Sequence, residues 1–309
     1  MPKDTEILIC EIGMDGFGQV EELSKLISPD IGIITCIGVA HIGKLGSREN
    51  IARAKAEILS GISPGGLAIF PADEPLLYMP WKKNIRYISA SGKEADASIK
   101  DIILSPEGTE FKYFENGQEK RTFNIKEFGS HMAYLAAIAI YTSGMFGVGM
   151  NDAETGLSNF KTASMRQNIK TVNGITVIED CYNASPESMR AALEVLSVVK
   201  KNSPDATAAA LLGDMLELGY ESPSMHRAIG AEAARSGVSK LFTFGPLSCD
   251  IAAGAEESGM KRENIFVNTD YLNPEKSAAQ IKSTLKKGDI LLVKASRFIH
   301  AENVIKLLE

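Results

Sequence analysis

The feature that most constrains this 309-residue chain is an alternation kept up almost from end to end: short apolar runs take turns with stretches whose apolar residues recur every three or four positions. The runs have the length of strands and the stretches the period of helices, and that order builds parallel sheets with helices laid on their faces. In the first half, residues 6–12, 31–37 and 66–70 read as strands. Residues 19–27 and 48–59 read as helices, the second opened by Ser47 as N-cap and carrying Glu49 and Glu57 on its polar side. From 97 to 126 the pattern turns polar and alternating, with turn signals at Pro106-Glu107-Gly108 and Asn116-Gly117. Asn-Gly tolerates the positive φ of a type I′ turn, so a small antiparallel insertion is expected there. Helices over 130–144 and 152–160 follow.

A second unit is expected over 164–309, after a first over 1–163. Strand candidates at 174–179, 207–212, 240–244, 264–268 and 289–294 alternate with helical stretches at 186–200, 224–236, 247–258, 274–286 and 299–308. Ser185 is placed to cap the first of these helices and Pro186 to occupy its first position, ahead of Met189, Leu193, Leu196 and Val199 on one face. Five strands wound in this way make an open sheet that binds ligands beyond the carboxyl ends of its strands.

Composition narrows the function classes. With 33 Lys and Arg against 39 Asp and Glu, the formal net charge is −6, so no basic excess is available to displace counterions from a nucleic acid. Four cysteines (Cys10, Cys36, Cys181 and Cys249) lie far apart and form no CxxC or His/Cys cluster, which fits reduced thiols in a cytoplasmic protein. The longest apolar stretch, 132–148, is broken by Tyr141, Thr142, Ser143 and glycines, and reads as a buried helix rather than a membrane span. The chain opens on Met-Pro-Lys-Asp-Thr-Glu, which lacks the parts of a signal peptide, and runs at once into the first strand candidate. A domain incomplete at its N-terminus is the expectation.

The chemistry-bearing residues sit where the strands should end. Glu11 and Asp15 lie in a Gly-rich turn, where a carboxylate can hold magnesium against phosphate oxygens or simply be solvated. His41 follows the second strand; Lys55 rides the next helix beside Glu57, and by itself reads as a solvated lysine in ion-pair company. Gly129-Ser130-His131 opens a helix whose free N–H groups suit a phosphate or a ring edge, and also suit an ordinary N-cap. Glu179-Asp180-Cys181-Tyr182-Asn183-Ala184-Ser185 joins a strand to a helix N-terminus with more polar groups than a turn requires. Gly213-Asp214-Met215-Leu216-Glu217-Leu218-Gly219, with His226 beyond, is another strand-end turn, readable as a site or as a plain acidic loop. Lys294-Ala295-Ser296-Arg297 sets two cations past a strand end, where they can grip a carboxylate or face solvent.

Taken together, Tyr182-Asn183-Ala184-Ser185-Pro186-Glu187-Ser188-Met189 and Gly213 to Gly219 with His226 closely resemble the D-alanyl-D-alanine-adding branch of the Mur ligase family. The first half agrees in order: Glu11-Ile12-Gly13-Met14, Thr35 to His41, Leu45-Gly46-Ser47, Ala52 to Ile58 and Ala72-Asp73-Glu74-Pro75. The match runs from about Glu6 to Leu308. The resemblance implies an α/β chain: a truncated central Mur ligase ATP-binding domain, mostly parallel sheet with a small antiparallel insertion, then a Rossmann-like C-terminal domain. It implies peptidoglycan-precursor synthesis, in which ATP and Mg2+ activate a peptide carboxylate as an acyl phosphate that the amine of D-alanyl-D-alanine attacks. The implied substrates are UDP-N-acetylmuramoyl-tripeptide and D-alanyl-D-alanine.

Residue by residue, the resemblance makes Glu11 and His41 metal-associated catalytic groups, and Lys55 the lysine that the superfamily carbamylates into a metal ligand. Asn183 and Arg166 become ATP contacts, with His131 beside them. Asp214, Lys294, Ser296 and Arg297 shape the substrate pocket. The chain departs from the family pattern at Cys36, where Asn is usual, at Ala295, where Gly is usual, and at Met132-Ala133-Tyr134-Leu135, where Asn residues are expected. The uridine-binding domain and the Gly-rich loop ending in Gly-Lys-Thr or Gly-Lys-Ser would precede this sequence. The implied reading is therefore a fragment inactive alone, with a separate chain carrying the missing part among its partners. The alternative is a non-catalytic binding protein of the same fold that has lost the nucleotide site.

Overall fold

The computed structural model describes residues 2–309 apart from 82, 106 and 163. A first six-stranded sheet runs in spatial order β1 (Ile31–Ile33), β2 (Leu67–Pro71), β3 (Asn84–Ser89), β4 (Ala97–Ser105), β5 (Gly108–Glu115) and β6 (Gln118–Ile125). The pairings β1–β2, β2–β3 and β3–β4 are parallel, and β4–β5 and β5–β6 antiparallel. Side chains alternate across a strand, and here both faces are buried. Ala68 and Phe70 of β2 pack with Val20 of α1 (Gln19–Ile27) and with Ile51 and Ala54 of α3 (Arg48–Ala56), which follows the short α2 (Ile42–Leu45). Ile69 points the other way, to Ile88, Phe111, Phe123 and the Ala133, Ala137 and Ile140 stripe of α4 (Ser130–Gly144). Helix α5 (Met150–Asn159) closes this unit.

Two expectations change here and one holds. Residues 6–12 have strand-like composition but form no strand: they run unpaired, with Ile7, Leu8 and Ile9 53%, 57% and 90% exposed. Pattern alone does not make a strand, because its backbone groups need a partner ladder, and none among the described residues reaches them. The antiparallel insertion expected at 97–126 is present, and its three strands widen the first sheet. Its Asn116-Gly117 turn has φ of 49° and 76° at these positions, as a type I′ hairpin requires, while Pro106 lies outside the described residues. The proposed helix at 48–59 is α-helical to Ala56 and finishes as a 3-10 turn, Glu57–Ser60.

The second sheet has the order β11 (Ile265–Asn268), β10 (Lys240–Phe244), β9 (Ala208–Gly213), β12 (Ile290–Lys294), β8 (Ile175–Glu179), β7 (Asn168–Val172). Only β7 is antiparallel to its neighbour. Helices α6 (Pro186–Lys201), α7 (Ser222–Arg235), α8 (Cys249–Glu257), α9 (Pro274–Thr284) and α10 (Glu302–Leu308) surround it. Ser185 caps α6 as expected: its hydroxyl accepts the Ser188 N–H at 3.3 Å, and its own N–H donates to the Ser188 hydroxyl at 2.9 Å. From β9 the chain winds outward through β10 to β11, then returns to lay β12 on the other side of β9. That reversal opens a crevice beyond the carboxyl ends of β9 and β12, where doubly wound sheets hold ligands. No helix among the described residues is long and apolar enough to cross a membrane.

Candidate functional site

After β1 the chain runs through Cys36 and Val39 to His41, and basic side chains of the following helix hold this loop. Arg48 donates to the Ile37 carbonyl at 2.9 Å and to Glu74 at 2.6 Å, and Lys55 Nζ donates to the Cys36 carbonyl at 2.9 Å. The Lys55–Glu57 ion pair that the sequence suggests does not form. Glu57 turns away and accepts the Gly18 N–H with both carboxylate oxygens at 2.9 Å, at the N-terminus of α1. His41 sits in the left-handed region, φ 65°, as N-cap of α2, and its Nδ1 meets the Glu217 carboxylate of the second unit out of line for a hydrogen bond. Asp15 is paired with Lys44, whose ammonium holds its carboxyl below the usual carboxylate range. Glu11 lies exposed on the unpaired segment.

His41 and Lys55 thus belong to one loop environment, while Glu11 stands apart from any such anchor. Among the described residues no three His, Cys, Asp or Glu side chains gather at metal-binding distance. The side chains present do not form a ready protein cage for magnesium, an ion that in any case takes most of its ligands from phosphates and water in nucleotide sites.

The facing wall comes from the second unit and from the start of α4. Lys294 is 2% exposed; its ammonium donates to Asp180 Oδ2 at 2.7 Å and to the carbonyls of Asn183 at 3.0 Å and Asp180 at 3.4 Å. All three of its donors are used. The expectation that Lys294 grips a substrate carboxylate is corrected accordingly: it is an internal brace that ties the end of β12 to the loop after β8. Asn183 stays exposed above that brace, its Oδ1 accepting the Ala184 N–H at 2.8 Å and leaving its amide nitrogen outward. Beside it the Arg166 guanidinium lies over the Tyr182 ring, 4.4 Å from the centroid.

His131 closes this wall from the first unit. Its Nε2 lies 3.0 Å from Gln167 Nε2, Ser130 donates to Glu194 Oε2 at 3.3 Å, and burial pushes the imidazole pKa down. The ring is therefore neutral near pH 7. His131 Nδ1, Gln167 Oε1 and the Tyr134 hydroxyl are buried without hydrogen-bond partners. Buried polar atoms are rarely left so, and a polar ligand or ordered water is the partner that completes them.

Asp214 and Ser296 flank the crevice between β9 and β12 but turn inward. Asp214 is 1% exposed and accepts the Ser248 N–H at 2.7 Å; burial raises its carboxyl to about 6. Ser296 donates its N–H to the Asp214 carbonyl at 3.0 Å and accepts the Leu216 N–H on its hydroxyl at 3.0 Å. These two residues shape the crevice from behind, not by facing it. Of the four substrate-pocket candidates only Arg297 is exposed, paired with Glu302 at 2.9 Å. His226 is buried and neutral: Nδ1–H donates to the Ser222 carbonyl at 2.7 Å and Nε2 accepts the Met215 N–H at 3.0 Å. Reading the sequence missed Gln167, Glu187 and Glu217 as cleft residues. Glu187 and Glu217 stood inside the quoted motifs, but their partners lie in the other unit.

Comparison with known proteins bears on this cleft. Residues 1–143 match the Mur ligase middle domain and residues 165–297 the Mur ligase, glutamate ligase domain. The chain is 37% identical over 99% of its length to the UDP-N-acetylmuramoyl-tripeptide–D-alanyl-D-alanine ligase of Bacillus subtilis, covering 65% of that protein, and 31% identical to the ligase of the same name from Synechocystis, covering 63%. It spans less than two thirds of the length of these relatives. Its fold superposes on MurF from Acinetobacter baumannii with a TM-score of 0.82 at 25% identity, and on Thermotoga maritima MurF in complex with ADP with a TM-score of 0.78 at 26% identity. These structures are covered to 63% and 65% by the chain, and 96% and 95% of the chain is matched. Two family domains in this order over most of the sequence, on a fold shared with solved members, make the chain a member of the Mur ligase family.

Proposed function

We propose that this chain supplies the catalytic loop and one nucleotide-facing wall of an ATP-dependent ligase of cell-wall synthesis, one that joins D-alanyl-D-alanine to UDP-N-acetylmuramoyl-tripeptide. The observation that carries the reading is a group of buried polar atoms without hydrogen-bond partners, on His131, Gln167 and Tyr134, where the start of α4 meets the second unit. The ligase name of the Bacillus subtilis relative and an ADP-bound structure of the same fold support it. In this reading Asn183 and Arg166 contact ATP, and Lys55, carbamylated, with His41 and Glu11 faces the phosphates and the magnesium that enters with them. Of the two cations Lys294 and Arg297, the exposed Arg297 is the one offered to the dipeptide carboxylate. The 309 residues hold no Gly-x-x-x-x-Gly-Lys-Thr/Ser run, so the phosphate cradle comes from polypeptide outside them. The place of action is the cytoplasm, and neither nucleic acid nor membrane is a partner.

The wall is tested by titrating ADP into the 309-residue chain and following backbone amide resonances. Shifts should concentrate at Arg166, Asn183 and His131, with affinity at least about fivefold weaker in Arg166→Ala, which removes a charged contact. Shifts absent from these three residues, or unchanged by the substitution, refute the assignment.

A further inference from the structure

Two carboxylates of the second unit reach across to one loop of the first. Glu187, in the first turn of α6, accepts the Val39 N–H on Oε1 at 3.1 Å, and its carboxyl carbon lies 3.2 Å from where a Cβ on Gly38 would stand. Glu217 accepts the Gly43 N–H on its carbonyl at 2.9 Å while its carboxylate meets His41. Backbones touch here as well: a Cβ on Gly43 would lie 2.8 Å from the Gly219 nitrogen, and one on Gly219 2.8 Å from the Gly43 Cα. Apolar contact joins the same two surfaces, since Ile42 and Leu45 share a core with Met189, Met215 and Leu218.

Each side of this contact is stiff. On the first unit, Arg48 and Lys55 pin the loop carbonyls and Lys44 is tied to Asp15. On the second, the Met215 N–H is held by His226 and the Leu216 N–H by Ser296, so the turn that presents Glu217 is braced from two directions. Glu217 itself is held at φ 65°, a conformation a non-glycine residue keeps only when its surroundings impose it. A rigid turn gripping a rigid loop at both ends transmits position to His41, which stands between Val39 and Gly43.

We propose that Glu187 and Glu217 are positioning residues: together they latch the second unit onto the Gly38–Gly43 loop and so set His41 in place. Docking of the second unit then completes the first unit's half of the cleft from a distance, without either carboxylate touching a substrate. The consequence for His41 rests on the reading of the cleft given above, whereas the latch itself is measurable without nucleotide.

Amide hydrogen exchange and the His41 ring resonances, both followed by NMR on the nucleotide-free 309-residue chain, test it. Glu187→Ala should speed exchange at Val39 by about tenfold, the loss of one charge-assisted bond. Because the latch is shared, it should also speed Gly43 and shift the His41 ring signals, neither of which Glu187 touches. Glu187→Gln, which keeps the acceptor oxygen, should restore all three, and Gly219→Ala should loosen Val39 from the far end. Phe70 and Leu292, in the central strands β2 and β12, report that both units stay folded. If Glu187→Ala alters Val39 alone, or if neither it nor Gly219→Ala carries an effect across the loop in chains that keep Phe70 and Leu292 protected, the latch does not exist. Loss of that protection in the alanine variants leaves Glu187→Gln to decide: parental exchange at Val39 and Gly43 is the result expected, and fast exchange there with a folded core overturns the proposal.

Discussion

Asp214 and Lys294 show how much a side chain's environment, beyond its type and spacing, decides its role. Both stand at strand carboxyl ends, where charged residues meet ligands, and both are buried. Lys294 is neutralised by Asp180 and spends its remaining donors on backbone carbonyls; Asp214 has backbone N–H groups but no cation to offset its burial. The folded state therefore favours protonated Asp214, its carboxyl raised to about 6 from an unfolded value near 4. The sign follows: the contribution is fully present below pH ~4, is lost as pH rises through ~6, and above that the buried charge is a net cost. Asp214→Asn keeps an acceptor oxygen and removes the charge. We expect it to unfold in urea at higher midpoint than the parent at pH 7, by on the order of 2 kcal/mol, and to match the parent below pH ~4. A difference that does not change with pH would mean that Asp214 ionises freely in the fold.

At the scale of elements, most of the architecture was legible because the period of the apolar pattern reports it directly. Helices α1 and α4 and strand β10 match the expected limits residue for residue, and the Asn116-Gly117 hairpin formed as its turn chemistry requires. Strand β3, Asn84–Ser89, escaped reading because Arg86 and Tyr87 interrupt its apolar run; β7, Asn168–Val172, because it is a polar edge strand. The unpaired run at 6–12 failed in the opposite direction, since a strand pattern says nothing about whether a neighbour is there to pair with. Packing between helices was equally hidden. Gly230 of α7 and Gly254 of α8 bring two backbones into contact, so a Cβ on Gly230 would overlap the Ile251 carbonyl and one on Gly254 the Arg227 carbonyl. Gly230→Ala has a helix-favouring side chain, yet overpacking at this crossing should cost about 2 kcal/mol, seen as a lower thermal unfolding midpoint. An unchanged or raised midpoint would show that α7 and α8 part easily.

For the whole molecule, the sequence located the strand ends but not the relation between the two units. Asn183, Arg166 and His131 stand on three segments that meet across the unit boundary through the Arg166–Tyr182 and Gln167–His131 contacts, and only the family resemblance grouped them beforehand. Gln167 lay outside every quoted motif and Glu187 inside one, and neither revealed its partner, because a residue that acts by crossing from one unit to the other has no periodic signature. Phosphoryl transfer depends on a cradle of backbone N–H groups, a lysine and a hydroxyl on the nucleotide phosphates, and a single well-placed donor can be worth ~3 kcal/mol. In the proposed function His41, Lys55 and Asn183 supply only the opposite side of such a site. Phosphate release from ATP, with UDP-N-acetylmuramoyl-tripeptide and D-alanyl-D-alanine present, tests the claim most directly. It is measured on the 309-residue chain alone, and on that chain joined to the part of the Bacillus subtilis relative it does not match. The account predicts no turnover by the first and turnover by the second that needs all three substrates and is abolished by Asn183→Ala. Turnover by the 309-residue chain alone, or a joined chain that binds ADP yet releases no phosphate with every substrate present, would contradict it.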